Sequence, residues 1–238
     1  MSAPAPTGPS RWHARAPAPQ DAPAAADVRG RPAHTLVIAH DPADARSQRV
    51  RLLRTELMLR HEDPDQANAV AVLSPQRREG RSQLAAELAI ACAQLGRPTL
   101  LVDADLHHPA QHRLFGVEDA PGLSEAIASG APPRLVEIEG VPDLRLLPAG
   151  RPPVDALQLL SDRRFEQLLE QWHTAYDFLV VDTGAAAQFA SGLAVATLLG
   201  RVLIVSRAGH TPYRDTREML RRVASTQARI LGAVVSHF

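Results

Sequence analysis

The segment "AVAVLSPQRREGRSQLAAELAIACAQLG", residues 69–96, places an apolar run, a polar loop and an alanine-rich helical pattern in direct succession. This order predicts a strand that leads through a loop into a helix beginning near Gly80. In a phosphate-binding loop of this shape, backbone N–H groups and the helix N-terminus surround the phosphates. Here Gly80 is the only glycine of the loop, and Arg81 stands where such loops carry a lysine. An ordinary strand–loop–helix turn is the alternative interpretation.

Aspartates close two of the other apolar runs. Asp103 and Asp105 end the run "TLLVDAD", and Asp182 ends the run "FLVVDTG". The carboxyl ends of parallel strands meet at one edge of an α/β sheet, where ligands bind. Three carboxylates beside the loop therefore predict a magnesium–phosphate site, although each aspartate alone also suits a turn or a helix cap. We expect Asp103 and Asp182 to face Ser82 across one pocket.

From residue 34 onward the chain alternates short apolar runs with amphipathic helical patterns. The runs predicted as strands are "HTLVIAH", "AVAVLS", "TLLVDAD", "LRLLPAG", "FLVVDTG", "RVLIVSRAG" and "ILGAVVSHF". The helical patterns lie near 45–60, 82–95, 162–174, 187–199 and 212–226. Because several runs are apolar throughout, we expect strands that are buried on both faces of a parallel sheet. The alternation predicts a three-layer α/β domain with a mostly parallel sheet.

Composition limits the class of protein. The chain of 238 residues has a formal net charge of zero, which gives no overall field to attract nucleic acid or an acidic membrane. It has no apolar stretch long enough for a transmembrane helix and no signal-peptide core, so we expect no direct membrane insertion. A single cysteine, Cys92, fits a reducing cytoplasm. Residues 1–33 are rich in Pro and Ala, which predicts a disordered tail before one domain at 34–238.

The chain resembles the bacterial tyrosine kinases, the cytoplasmic partners of membrane chain-length determinants in capsule and exopolysaccharide synthesis. The matching motifs are "REGRS" for the Walker A loop, "TLLVDADLHHPAQHRLFG" for Walker A′ and "FLVVDTG" for Walker B. The segments at 122–130, 144–170 and 203–211 extend the resemblance over residues 34–238. It implies a P-loop NTPase fold, ATP and Mg²⁺ as cofactors, and a location at the inner membrane through a membrane chain-length-determinant partner. The implied function is regulation of polysaccharide polymerisation and export.

The resemblance also assigns roles to individual residues. The implied nucleotide-binding residues are Arg78, Gly80, Arg81, Ser82 and Gln83. The implied catalytic residues are Arg81, Asp103 and Asp105, and the implied metal ligands are Ser82, Asp103 and Asp182.

The loop departs from the family pattern at several positions. Arg77 and Arg78 replace residues that are usually small, and a position needing positive φ would strain an arginine by roughly 1 kcal/mol or more. The planar guanidinium of Arg81 is bulkier than an ammonium and bonds in pairs. We therefore expect nucleotide binding to persist while the positioning that phosphoryl transfer requires is lost. A non-catalytic scaffold of the same system is the alternative function.

The segment "QRVRLLRTELMLR" resembles the family's E-x-x-R-x-x-R helix, which builds a ring-shaped oligomer. Gln48, Arg51 and Arg54 occupy the three positions, with Gln48 in place of the glutamate. We expect a helix over 45–60 that presents the two arginines to a neighbouring subunit. The residues expected to dock its other side on the domain are Leu52, Leu53 and Leu57. A solvated basic face is the alternative interpretation.

Two rival functions can be weighed on single residues. The partitioning ATPases of the same fold carry a second lysine four residues before the last loop glycine, and this chain has Gln76 there. A metal site at His107, His108 and His112 is the other rival, because two of these residues could share a helical face. The histidines lack further ligands, and a surface helix is the alternative.

Overall fold

The apolar runs assemble into one sheet at the centre of the structure. The computed structural model describes residues 29–61, 67–117 and 120–237. Its strands are β1 (Arg29–Gly30), β2 (Asn68–Leu73), β3 (Thr99–Asp103), β4 (Val136–Ile138), β5 (Val141–Leu147), β6 (Phe178–Asp182), β7 (Arg201–Arg207) and β8 (Arg229–Ser236). Their order in the sheet is β1-β4-β5-β3-β6-β2-β7-β8, and neighbours are parallel except for β4 and β5. The predicted mostly parallel sheet is confirmed.

Helices cover both faces of this sheet. They are α1 (Val37–His40), α2 (Ala45–Leu59), α3 (Arg81–Ala93), α4 (Gln111–Leu114), α5 (Leu123–Ser129), α6 (Ala156–Leu160), α7 (Arg163–Ala175), α8 (Ser191–Leu199) and α9 (Tyr213–Ala224). One hydrophobic core joins the sheet to α1, α2 and α3, and a second joins the opposite face to α5 through α9. The predicted three-layer architecture is therefore present. Among the described helices, none combines the length and apolarity that crossing a bilayer requires.

The central strand β2 shows why several runs are apolar throughout. Val70 and Val72 point into the core with α3, whereas Ala71 and Leu73 point into the opposite core. Successive side chains of a strand alternate between faces, and here both faces are covered. An apolar residue is therefore favoured at every position of the strand.

The run "HTLVIAH" was predicted as a strand, and this prediction is wrong. Its second half forms the short helix α1, and Leu36 and Ile38 are buried in the core shared with α2 and α3. A short apolar run suits a buried helical turn as well as a strand, so periodicity cannot separate the two. At the sheet edge, β1 pairs in parallel with β4.

The domain therefore includes residues that the sequence had assigned to the tail. Arg29 and Gly30 belong to the sheet, although the predicted boundary lay after residue 33. The remainder of the predicted tail, residues 1–28, lies outside the described residues. The short elements β4, α4, α5 and α6 were not predicted, because segments of three to seven residues carry little periodicity.

The predicted helix over 45–60 is present as α2, and its N-terminus is capped by the Asp44 carboxylate. Leu57 is buried and Leu53 is partly buried against the core, as predicted. Leu52 does not dock, because it is 67% exposed on the outward side of the helix. The prediction for Leu52 is therefore wrong.

Both predicted interface arginines bond within their own chain. Arg51 Nη1 donates to the carbonyl of Pro42 at 3.0 Å and Nη2 to Gln94 Oε1 at 3.2 Å. Arg54 Nη1 donates at 2.8 Å to the carbonyl of Ala91, in the last turn of α3. A cation at a helix C-terminus satisfies carbonyls that have no intrahelical partner and interacts favourably with the helix dipole. In the described structure, these arginines attach α2 to the end of α3.

We expect Arg54→Ala to lower the free energy of unfolding by about 1–3 kcal/mol, because a hydrogen bond from a charged group is lost at a partly buried position. Urea unfolding followed by circular dichroism gives the measurement. Arg49→Ala is the matched control, since Arg49 is exposed on the same helix, and we expect it to change stability by less than about 0.5 kcal/mol. Equal effects of the two substitutions would show that Arg54 does not hold α2 in place.

Candidate functional site

The loop between β2 and α3 has the backbone of a phosphate-binding loop but a different side-chain content. Gly80 caps α3 in the left-handed conformation at φ 84°, and Arg78 is also left-handed at φ 60°. Arg78 is the only non-glycine residue with positive φ in the described ranges. The left-handed conformation costs an L-residue with a side chain about 1–2 kcal/mol.

Protein contacts hold this loop from the side of α9. The carboxylate of Glu79, which is buried, accepts hydrogen bonds from the amide of Gln76 and from the hydroxyl of Thr211. The amide side chain of Gln76 donates to Asp215 Oδ2 at 2.7 Å. Ser236 Oγ donates to the carbonyl of Glu79 at 2.9 Å. The loop is therefore fixed by its own domain without a ligand.

A cavity of about 310 Å³ opens beside the loop. It is lined by residues 78–83 together with Ala110, Arg113 and Leu114, and we call it the loop cavity. Every predicted nucleotide-binding residue lies in this lining. Gln83 is also held by the protein, because its side-chain amide donates to the carbonyl of Thr35 at 2.7 Å.

The three aspartates at the ends of β3 and β6 lie together at the carboxyl edge of the sheet. Asp103 and Asp182 are register partners on adjacent strands, and Asp105 follows two residues later. All three are buried, and we call them the carboxylate cluster. The Ser82 hydroxyl lies close enough to Asp182 to lower the pKa of that carboxyl.

Arg81 lines the loop cavity, but its guanidinium bonds to residues outside the cavity lining. Its guanidinium turns into the carboxylate cluster and is 7% exposed. Nη2 donates to Asp105 Oδ2 at 2.6 Å and Nε to Asp182 Oδ1 at 3.1 Å. Nη1 donates at 2.8 Å to Ser74 Oγ, at the start of the loop. The planar, forked donor set of arginine allows all three bonds at once.

Asp103 holds the backbone that leads to α4. Its Oδ1 accepts from the amide of Asp105 at 3.2 Å. Its Oδ2 accepts from the amides of Ala110 and Gln111 at 3.0 and 2.9 Å. These bonds fix the segment between β3 and α4. Asp103, which the sequence placed in catalysis and metal binding, thus has a structural role in this segment.

Gln111 is a site residue that the sequence reasoning missed. Its side-chain nitrogen donates to the carbonyl of Ser82 at 2.9 Å and to Asp182 Oδ2 at 2.8 Å, so it joins α3 to the carboxylate cluster. Arg113, which lines the loop cavity, was missed as well. Both lie within the segment that resembles Walker A′, but a polar residue seven or more positions after a strand has no periodic signal.

Burial and neighbouring negative charge raise the pKa of Asp103 and of Asp182. Burial, followed by the charge of Asp182, raises the pKa of Asp103 to about 8, against the effect of the amides of Gln111 and Ala110. Burial also raises the pKa of Asp182, while Arg81, the Ser82 hydroxyl and Gln111 oppose the rise. With its pKa near 8, Asp103 holds a proton over much of the neutral range.

A magnesium ion requires oxygen ligands at about 2.0–2.1 Å in octahedral geometry. In the carboxylate cluster all six oxygens already accept hydrogen bonds from the protein, since the remaining oxygen, Asp105 Oδ1, accepts from the amide of His108. In the residues that the structure describes, no group of three or more His, Cys, Asp or Glu is placed to hold a metal. Asp103 and Asp182 therefore offer a magnesium ion no carboxylate oxygen that is free of hydrogen bonds.

The histidines of this segment serve other contacts. The ring of His107 stacks on Phe189 with centroids 3.7 Å apart, and the ring of His108 meets the edge of the same phenylalanine. The suggestion that His108 and His112 share a helical face is wrong, because α4 begins only at Gln111. The stacked rings lie close to Asp105, which bonds the His108 amide.

Similar proteins were found by sequence. No protein-family model matches the chain. The tyrosine-protein kinase YwqD of Bacillus subtilis is 28% identical over 84% of this chain and 85% of its own length. The succinoglycan biosynthesis transport protein ExoP of Rhizobium meliloti is 30% identical over 72% of this chain and 22% of its own length. The chain spans about a quarter of the length of the curated relatives it matches first.

Solved structures of tyrosine kinase domains are similar to this chain as well. The kinase domain of the Escherichia coli tyrosine kinase ETK superposes with a TM-score of 0.77 at 26% identity, covering 85% of this chain and 79% of that domain. Proteins with bound ADP and magnesium are among the solved structures below 25% identity. At that distance they establish the shared P-loop NTPase fold alone.

We expect the stability of the protein to fall as the pH rises from about 4 to about 8. The folded chain keeps a proton on Asp103 up to its pKa of about 8, whereas the unfolded chain releases it near 3.8. The slope contributed by one group is at most about 1.4 kcal/mol per pH unit. Urea unfolding across this window measures it, and Asp103→Asn should flatten the slope. Equal slopes in the two proteins would contradict the raised pKa.

Proposed function

Because the chain belongs by sequence and fold with the bacterial tyrosine-protein kinases, we propose that it is a kinase-like nucleotide-binding regulator of exopolysaccharide or capsule polymerisation and export. It would act at the cytoplasmic face of the inner membrane through a membrane chain-length-determinant protein. The observation that carries the proposal is the loop cavity at the carboxyl edge of the sheet, beside the buried carboxylate cluster. The name of the relative ExoP supports the polysaccharide context.

ATP is the proposed ligand of the loop cavity. The first-turn amides of α3 point toward the cavity without intrahelical partners, as at any helix N-terminus, and they favour an anion. The exposed side chains of Arg78 and Arg113 add two positive charges to the lining. Neither guanidinium has a hydrogen-bond acceptor among the described residues. Both are therefore available to phosphate oxygens.

The bonding of Arg81 favours a second candidate function, a nucleotide-binding regulator that does not transfer phosphate. Phosphoryl transfer depends on charges held beside the γ-phosphate and on a metal ion that bridges the phosphates. Here the side chain at the lysine position is directed into the carboxylate cluster. Binding alone could still switch the regulator, because a ligand that binds one conformation better shifts the population toward it.

The partitioning-type function is not supported by the loop. Gln76 occupies the position of the second lysine, and its side chain bonds to Asp215 of the same chain at 2.7 Å. It offers no charge to a nucleotide in a neighbouring subunit. We therefore propose a function in polysaccharide export for this site, and not in partitioning.

Self-association is part of the proposal, and α2 is its proposed surface. Gln48, Leu52, Thr55 and Leu59 lie at helical spacing on the outward side of α2, where Leu52 and Leu59 are 67% and 71% exposed. Arg51 and Arg54 hold the helix from the inner side. The contact between subunits would thus use the apolar stripe, with the arginines fixing its orientation.

Calorimetry of the full chain with ATP tests nucleotide binding, and a designed variant tests why turnover is low. We expect Arg81→Lys combined with Arg78→Gly to raise ATP turnover by at least about tenfold, in the presence of the partner's cytoplasmic segment. The lysine would no longer hold two carboxylates, and the glycine would remove the strain at φ 60°. Phosphate release is the measurement. Unchanged turnover in the presence of the partner segment would contradict the proposed cause.

The assembly proposal predicts a change of mass. We expect Leu52→Glu with Leu59→Glu to convert the oligomer to monomer in multi-angle light scattering, because like charges would meet in the contact. Arg51→Ala with Arg54→Ala is the control. We expect it to lower the free energy of unfolding while most of the oligomer stays assembled. If wild type and the glutamate variant have equal mass at high concentration and low salt, the stripe on α2 does not mediate assembly.

A further inference from the structure

The guanidinium of Arg81 lies among the buried carboxylates at the carboxyl edge of the sheet. It contacts Asp105, Asp182 and Ser74, which follow three different strands of the sheet edge, at 2.6, 3.1 and 2.8 Å. Its position is buried, and its orientation is fixed by three donors used on three acceptors. A buried charge with this many partners is a built feature of the domain, since an unpaired charge at such a site costs several kcal/mol.

The cluster as a whole is closed to ligands. The Arg81 side chain occupies two of the six carboxylate oxygens, Gln111 occupies one, and backbone amides occupy the other three. An ion could enter by displacing a side-chain donor, Arg81 or Gln111, because the backbone amides cannot leave without unfolding the segment after β3. The displaced guanidinium would then need new acceptors for its charge.

Other arginines are available to bind the negative charge of a phosphate group. Arg78 and Arg113 line the loop cavity, both exposed and without an acceptor in the described part of the chain. Guanidinium groups bind phosphate oxygens in pairs and need no metal to do so. Arg78 and Arg113 would thus neutralise phosphate charge in the loop cavity, whereas Arg81 neutralises the carboxylate cluster. A bridging metal would connect these two sites.

We propose that Arg81 is a built-in replacement for the divalent cation, so that this protein binds a nucleotide's phosphates without a metal ion. The carboxylates that would have held the ion serve instead as the anchor of an internal cation. The nucleotide half of this inference rests on the proposed function, whereas the replacement of the metal rests on the geometry of Arg81 alone. The class of ligand is a metal-free nucleoside di- or triphosphate.

The experiment has two independent arms on the full-length protein. In the first, Mn²⁺ is added without nucleotide, and bound ion is counted by the loss of the free Mn²⁺ signal in electron paramagnetic resonance. We expect wild type to bind no Mn²⁺ at millimolar ion, and Arg81→Ala to gain a site at the freed carboxylates. Arg49→Ala, an exposed arginine on α2, is the control and should behave as wild type. Binding of Mn²⁺ by the wild type would overturn the proposal.

In the second arm, the affinity for ADP is measured by calorimetry with excess EDTA and with millimolar Mg²⁺. We expect the wild-type dissociation constant to agree within about twofold between the two conditions, and a change of about tenfold or more in favour of Mg²⁺ would overturn the proposal. Absence of ADP and ATP binding in both conditions would refute the proposed function, while the first arm would still decide the role of Arg81.

A failure of Arg81→Ala to fold does not stop the test. Circular dichroism identifies such a failure, and Arg81→Gln, which keeps a side-chain amide donor for one carboxylate, then replaces it in the Mn²⁺ measurement. A folded variant that gains no Mn²⁺ site would contradict the claim that the guanidinium takes the place of the ion. The wild-type measurements of both arms require no variant.

Discussion

A guanidinium buried among carboxylates holds the functional edge of this sheet together. Arg81 opens α3, and its three bonds reach residues that follow β2, β3 and β6. Removing one partner of a buried ion pair leaves an uncompensated charge, which typically costs about 3–5 kcal/mol. The helix start, the strand ends and the loop are therefore energetically coupled through one side chain. The same bonds that stabilise the edge remove from it the free carboxylates that metal-dependent chemistry would use.

The rest of the site shows the same preference for internal contacts. Glu79 and Gln76 attach the loop to the start of α9, Asp103 attaches the backbone before α4, and Gln111 attaches that helix to α3. In a site that works by ligand contact, such groups would be left available and the protein would be less stable without its ligand. Here the protein supplies its own partners. For this reason, the proposed function includes nucleotide binding but not efficient phosphoryl transfer.

In the described structure, the arginines of the α2 motif bond within their own chain. Arg51 and Arg54 lie three residues apart and share one face, as the spacing predicted. That face lies against the end of α3, so the arginines bond to backbone carbonyls of their own chain. What faces outward is the neighbouring stripe with Leu52 and Leu59. The proposed contact between subunits therefore uses the apolar side chains of Leu52 and Leu59. These lie a fraction of a helical turn away from Arg51 and Arg54.

Local pattern determined the long helices, the parallel sheet, the gathering of three aspartates at one edge and, except for β4, the strands after residue 67. Each of these follows from periodicity and from the rule that parallel strands end on the same side. The strain at Arg78 was also readable, because the loop needs a left-handed residue there. The short run "HTLVIAH" was not, since four or five apolar residues suit a buried helix and a strand equally. Tertiary structure alone decided where Arg81, Arg51, Arg54 and Gln111 direct their donors. Those directions depend on which acceptors from distant segments come within about 3 Å, and no spacing within a single segment contains that distance.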